Sequence, residues 1–312
     1  MTKEFKLLST LFITLCCTLL HAAPRELDVL IVLGAPGTEE YGKKFKTQVD
    51  AWTNACTKAG LTPAVVRGEK TTEELEKRLT ASDPAHSLWL VLIGHGTFDG
   101  REAKFSAEGP DFDAKQLAGW LKPLKQEVAV IHTASSSGGF LKPLSGKNRI
   151  IITSTKSPDE VFYARFGEFF AEAVGGLPEA DLDQDKQVSL LEAFRHASKA
   201  TTTFYENDGR LATEHALLED NGDGIGTRSE VFGSDAPVPA GMAVDGARAA
   251  QMVLVLSAEE QQLTDAQRST RDALERELKT LKEQRTKLKE DDYYTKLETL
   301  LRKLGEVYGT KS

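Results

Sequence analysis

The sequence predicts an α/β fold: a mostly parallel sheet flanked by helices, then an acidic loop region and a C-terminal helical hairpin. Three observations carry this. Apolar runs and amphipathic stretches alternate from residue 26 to residue 175. The apolar runs are continuous, as in strands buried on both faces, rather than alternating apolar with polar. The helical stretches open on acids or hydroxyl residues, or stop on glycine.

In order, ELDVLIVLG (26–34) is a strand ending in Gly, and EEYGKKFKTQVDAWTNACTKAG is a helix with a Gly stop. LTPAVVRG is a second strand and TTEELEKRL a second helix. SLWLVLIGHG (87–96) is the most apolar strand of the chain. FDAKQLAGWLKPL is helical, EVAVIHT (127–133) and NRIIITST (148–155) are strands, and DEVFYARFGEFFAEAVGG is a helix ending in Gly-Gly. MVLVL (252–256) is expected as a short edge strand. A long helical tract follows, opened by a capping box of Ser257 and Glu260. Leu274, Leu278, Leu281 and Leu288 step by four, three and seven, a coiled-coil seam. Leu297, Leu301, Leu304 and Tyr308 form a second apolar face, so the tract is read as a hairpin turning near Asp291.

The chain thus divides into an α/β domain at 24–180, an acidic loop region at 181–229, a linker with the edge strand at 230–256, and the hairpin at 257–312. Residues 1–23 stand apart. Lys3 and Lys6 precede an apolar stretch from Leu7 to Leu20, and Ala22 and Ala23 offer a small-residue cut. That is the layout of a cleaved signal peptide, shorter than a comfortable membrane span, and it implies a secreted or periplasmic protein. Cys16 and Cys17 leave with it, so Cys56 remains alone and no intramolecular disulfide forms. Cys56 lies in an amphipathic helix and is expected as a buried structural thiol. With a formal charge of −8 and no basic cluster, the chain is not a nucleic-acid or anionic-lipid binder.

In open parallel sheets, ligands bind beyond the carboxyl ends of the strands. Two strand ends carry polar chemistry. IGHG presents His95 between Gly94 and Gly96, where the backbone turns sharply and an imidazole is accessible as a general base. TASSSGG presents Ser135, Ser136 and Ser137 before Gly138. By alternation His132 points to the other face of its strand and is left out of the site.

A strand ending in His-Gly followed by one ending in Ala-Cys-x-Ser-Gly resembles the legumain-type (hemoglobinase) cysteine peptidases, a branch of the caspase-like fold. Here the pair reads LVLIGHG and IHTASSSGG, over roughly Asp28 to Gly175. The resemblance implies that His95 is the general base and that Ser135 stands in the place of the nucleophilic cysteine. It implies that Ser137 and Gly138 fill the Ser-Gly that follows, and that backbone N–H groups near Ser135 and Gly96 make the oxyanion site. The departure is Ser135 itself. A thiol with a pKa near 8.5 is held as thiolate by a nearby His, whereas a hydroxyl needs a base oriented by a third group. Asp99 and Glu102 are candidates for that group. Two readings stand, a Ser/His peptide hydrolase and a pseudopeptidase that binds without cutting. A third is a non-enzymatic scaffold for peptides or envelope proteins that self-associates through its C-terminal helices. Lys156 and Arg165 are candidate determinants for an acidic substrate residue.

The acidic loop DLDQDKQVSLLE matches an EF-hand. Asp181, Asp183 and Asp185 occupy positions one, three and five, Gln187 seven by its carbonyl, Ser189 nine and Glu192 twelve, with Val188 packing inward. Lys186 stands where Gly is usual, and Gly175, Gly176 and Pro178 interrupt the incoming helix. A structural calcium ion is expected there. Around 219–226, Asp220, Asn221 and Asp223 either complete that same site or form Asn-Gly and Asp-Gly turns, and turns are expected. Glu214 and His215 are read as capping residues rather than metal ligands, and His196 as a helix-surface or packing residue.

Overall fold

The computed structural model describes residues 26–232 and 243–309. The expected signal peptide lies outside the described residues, as does the linker at 233–242.

The chain runs β1 (Leu27–Leu33), α1 (Glu39–Lys58), β2 (Ala64–Val66), α2 (Thr71–Thr80) and β3 (Ser87–Ile93). A small antiparallel sheet follows: β4 (Gly96–Phe98), β5 (Ala103–Phe105) and β6 (Phe112–Asp113). Then come α3 (Ala114–Leu121), β7 (Val128–His132), α4 (Gly138–Leu144), β8 (Arg149–Thr153), α5 (Phe166–Val174), α6 (Leu190–Asn207) and β9 (Leu217–Glu219). The main sheet has the order β2-β1-β3-β7-β8-β9, parallel except for β9, which pairs antiparallel to β8. The expected fold class is therefore what the chain adopts.

Its core has two layers because side chains alternate along each buried strand. Val29, Ile31, Trp89, Val91 and Ile131 face α1, α5 and α6, where Trp52, Phe170 and Phe194 meet them. Leu30, Val32, Leu90, Leu92 and Val130 face α2, α3 and α4, where Leu75, Leu117 and Phe140 pack. Local chemistry sets the helix ends. The Thr38 hydroxyl accepts from the Tyr41 amide at the start of α1, and Asp113 with Gln116 boxes the start of α3. Gly60, at φ 72°, stops α1, and Gly176, at φ 86°, follows α5.

The boundary expected at residue 180 does not divide the body. Phe194 and Ala197 of α6 lie in the same core layer as α5, and β9 completes the sheet, so the α/β body continues through residue 219. The expected edge strand at 252–256 is absent. Val253 makes one isolated antiparallel bridge to Ser189, and β9 takes the sheet edge instead.

The hairpin is present as α7 (Asp265–Glu283) and α8 (Glu290–Val307), turning at 284–289, before Asp291 rather than at it. Leu274 and Leu281 close against Tyr293 and Leu300, with Leu278, Leu288, Leu297 and Leu304 around them. The seam read from the leucines is therefore filled by the chain's own second helix. The expected start at Ser257 is corrected. Ser257 Oγ does accept from the Glu260 amide at 3.3 Å, but only one 3-10 turn, Glu260–Gln262, follows before Leu263 goes extended. Thr264 and Gln267 form the box that opens α7. Glu260 is instead turned inward, 2 % exposed, to meet Arg271 at 2.5 Å.

Candidate functional site

β3 and β7 are neighbours in register, Leu92 opposite His132. The Thr133 amide and hydroxyl both donate to the Leu92 carbonyl, at 3.0 and 2.9 Å, so the pairing runs past the strand end. This carries Ala134 and Ser135 alongside His95 and Gly96, at the carboxyl edge of the sheet.

Ser135 is 3 % exposed. Its Oγ accepts from the Gly96 amide at 3.1 Å and donates to the Gly96 carbonyl at 3.0 Å. The two motifs are thus joined by a closed pair of hydrogen bonds between one hydroxyl and one glycine. A Cβ on Gly96 would lie 2.0 Å from the Ser135 carbonyl oxygen, so only glycine fits there. The turn that follows is tightly built. Ser136 adopts φ 57°, and its amide donates to the Glu160 carbonyl at 2.9 Å. Ser137 Oγ lies 3.0 and 3.1 Å from the hydroxyls of Ser154 and Thr155 and accepts from the Thr155 amide at 3.2 Å. The Gly138 amide donates to Thr155 Oγ1 at 2.8 Å, and a Cβ on Gly138 would meet the Ser157 amide nitrogen at 2.4 Å. Ser137 and Gly138 therefore brace the turn against the end of β8.

His95 is half-buried in an aromatic pocket. Its ring meets Tyr41 at 4.6 Å and Phe45 at 5.0 Å between centroids, both edge to face, with Tyr163 at 6.3 Å. Nε2 lies 3.2 Å from the Pro36 carbonyl. A carbonyl only accepts, so Nε2 carries the proton and Nδ1 is left as the basic nitrogen. Burial pushes the imidazole pKa down, the Pro36 contact partly opposing it. Pro36 is a part of the site that the sequence did not reveal.

Neither Asp99 nor Glu102 orients the imidazole through its carboxylate in this arrangement. Asp99 Oδ1 accepts from the amides of Arg101 and Glu102, closing the exposed β4–β5 turn. Lys156 pairs with Glu160 at 3.7 Å, and the Arg165 guanidinium lies 4.0 Å over the Phe204 ring. His132 is fully buried between Phe105 and Phe140, and burial pushes its pKa down to about 3. Cys56 is fully buried as expected, its thiol pushed up to about 11.

Glu214 and His215 have structural partners. Glu214 accepts from the amides of Arg165 and Phe166, at 2.8 and 3.1 Å, capping α5 rather than the helix before it. Burial pushes its carboxyl up to about 7 against those bonds. His215 Nδ1 meets Glu160 at 2.5 Å. His196 is half-buried on α6.

The first acidic loop gathers carboxylate oxygens of Asp181, Asp183 and Asp185 within 4.8 Å of one another. The Lys186 amide donates to Asp181 at 3.0 Å, and Lys186 takes φ 69° where a glycine is usual. Asp181 Oδ1 is shielded from solvent and has no hydrogen-bond partner. Ser189 and Glu192 have hydrogen-bond partners of their own. They cap α6 reciprocally, and Glu192 Oε1 also accepts from the amides of Leu182 and Asp183. The Gln187 side chain accepts from the Ser257 amide at 3.1 Å.

The profile described as the Peptidase C13 family matches residues 45–216, more than half of the chain. No curated protein matches. Among solved structures, the Drosophila initiator caspase Dronc is similar at 11% identity and a TM-score of 0.42, covering 65% of this chain and 82% of that one. Caspase-1 from Spodoptera frugiperda is similar at 11% identity and a TM-score of 0.42, covering 63% of this chain and 86% of that one.

Proposed function

We propose, from the premise that this chain belongs to the Peptidase C13 family, that its strand-end cleft binds peptides without cutting them. The observation that carries this reading is the closed bond pair between Ser135 Oγ and Gly96. The hydroxyl proton is committed to a carbonyl. The Gly96 amide, which would face a developing oxyanion, is occupied by the same hydroxyl. The base is also poorly matched to serine. His95 is oriented by the neutral Pro36 carbonyl, which stabilises an imidazolium less than a carboxylate does, and burial depresses its pKa further.

A fluorophosphonate tests this. No adduct is expected at Ser135 in wild type or His95→Ala, while a labelled peptide from a degenerate library binds both. A phosphonylated Ser135 whose labelling is lost in His95→Ala would establish the second reading, a Ser/His peptide hydrolase. That reading is favoured by one observation, the unprotonated Nδ1 that the Pro36 contact leaves on His95. The filled seam of the hairpin argues against a scaffold assembled through open coiled-coil faces.

We further propose an exported chain with a structural calcium ion in the first acidic loop. Residues 1–23 support export by their charge, apolar stretch and small-residue cut. Among the described residues, no helix is long and apolar enough to cross a membrane. The calcium reading is supported by the three clustered aspartates and the orphaned Asp181 Oδ1. Asp181, Asp183, Asp185 and the Gln187 carbonyl would hold the ion, with Ser189 and Glu192 framing the loop. The exported protein should have a mass that begins near residue 24. Chelation should lower its melting temperature by roughly 1–5 °C, given extracellular-type affinities of about 10⁻⁴–10⁻³ M. Asp183→Ala should reduce that shift. A melting curve indifferent to millimolar calcium ends the claim.

A further inference from the structure

We propose that residues 219–230 form a second divalent-cation site, separate from the first, with Glu219, Asn221, Asp223 and the Ile225 carbonyl as ligands. The expectation of simple turns there does not account for Glu219. This side chain is fully buried, at the end of β9 opposite Ile151. Its Oε1 accepts from the Gly222 amide at 2.5 Å, which turns the carboxylate into the loop. Its Oε2 is buried and makes no hydrogen bond of good geometry, although the Ser145 hydroxyl and the Gly224 amide both approach this carboxylate. Among the described residues no ion pair reaches Glu219. A buried carboxylate oxygen with no well-made hydrogen bond and no counter-charge is costly, and a bound cation answers that cost directly. Burial pushes the Glu219 carboxyl up, and the charge of Asp223 adds to it.

The backbone around this orphan repeats the first loop position by position. Aligning Glu219 with Asp181 aligns Asn221 with Asp183, Asp223 with Asp185 and Gly224 with Lys186. In the first loop, Gln184 and Lys186 have positive φ; in the second, Gly222 and Gly224 do. The Asp185 and Gln187 amides donate to Asp183 and Asp185 Oδ1 at 3.2 and 2.8 Å. The Asp223 and Ile225 amides donate to Asn221 and Asp223 Oδ1 at 2.9 and 2.7 Å. The register differs from the one suggested by Asp220. That carboxylate is already spent on the amides of Gly246, Arg248 and Ala249, at 2.8, 2.8 and 3.0 Å.

The second loop offers fewer ligands than an EF-hand. Thr227 donates its hydroxyl to Asp245 at 2.6 Å, and Glu230 pairs with Arg228 at 2.8 Å, so water completes the shell. Oxygen ligands on a glycine-rich frame suit calcium better than magnesium, which demands tight octahedral geometry. Asp245 in turn accepts from the amides of Asp220 and Asn221, at 2.9 and 3.2 Å. An ion here would therefore also steady the clasp of residues 245–249 on the sheet edge.

The test is calcium binding to the full chain by equilibrium dialysis, at calcium concentrations to about 10 mM. Asp223 is exposed, so Asp223→Ala keeps the fold, and it should remove one ion per chain. Asp183→Ala should remove a different one, and the double variant should bind none. Unchanged stoichiometry in Asp223→Ala, or complete loss in Asp183→Ala alone, overturns this proposal and leaves the first site standing. Complete loss in Asp223→Ala alone does the reverse. Glu219→Gln adds a readout in chelator, where it should melt above wild type because the buried charge is gone. A lower melting point there would also count against the site.

Discussion

Ser135→Cys should raise peptide cleavage by about 10²-fold or more over wild type, the lower range for general-base catalysis. The substitution changes two things at once. A thiol with a pKa near 8.5 is within reach of a neutral imidazole, whereas a hydroxyl is not deprotonated before attack. Sulfur is also a weak hydrogen-bond acceptor and donor, so it gives up the closed pair with Gly96 that Ser135 Oγ makes at 3.0 and 3.1 Å. The Gly96 amide then becomes free for an oxyanion, and Nδ1 of His95, already unprotonated, becomes the base. Iodoacetamide gives a second readout, because alkylation at position 135 should proceed below pH 8 and slow in Ser135→Cys/His95→Ala. Cys56 is a silent background, fully buried and pushed up to about 11. A cysteine at 135 that alkylates no faster than a free thiol, with no turnover, would mean that more than the nucleophile has been lost.

What could be read in the sequence follows from which signals are carried by side-chain pattern. β1, β3, β7 and β8 were legible because strands buried on both faces are continuous apolar runs. The β4–β6 sheet was not, since its strands are two or three residues long and too short for a period. α4 was hidden by Gly138, Gly139 and Pro143, residues that argue against a helix; the two glycines are required by close packing, where an added Cβ would meet the Ser157 amide nitrogen at 2.4 Å and the Ala103 Cβ at 2.6 Å. His95 and Ser135 were legible as a motif pair, but the group that orients the imidazole was not. It is the Pro36 carbonyl, and a backbone atom leaves no mark on residue type. At the hairpin, Ser257 with Glu260 was read as the capping box, while Thr264 with Gln267, which fits the same pattern, opens the helix. The choice is made by tertiary contact, because Glu260 is held inside by Arg271 and by the Tyr308 hydroxyl. In the second acidic loop Glu219 stands where an EF-hand usually has Asp, so residue type alone points to Asp220, one position on.

Gly96→Ala should be among the most damaging small substitutions in the molecule, because it forces apart the two strand ends that make the site. An added Cβ would lie 2.0 Å from the Ser135 carbonyl oxygen, 3.1 Å from its carbon and 3.3 Å from the Lys104 carbonyl oxygen. All three are backbone atoms of buried or paired segments, so no side chain can swing away to make room. The loss should reach or exceed the upper end of the ~1–3 kcal/mol usual for overpacking, which lowers the melting temperature by roughly 5–10 °C. The control is Gly119→Ala in α3, where a Cβ meets nothing within 4 Å. There the same methyl group should raise stability by about 0.5–1 kcal/mol, since alanine replaces glycine inside a helix. The pair separates crowding from a general sensitivity to substitution. Placed on Ser135→Cys, Gly96→Ala should also abolish the gained turnover, because it displaces the 135 backbone from the Gly96 amide. If Gly96→Ala melts with wild type or above Gly119→Ala, the close approach of the two motifs is not a constraint, and the site built on it fails.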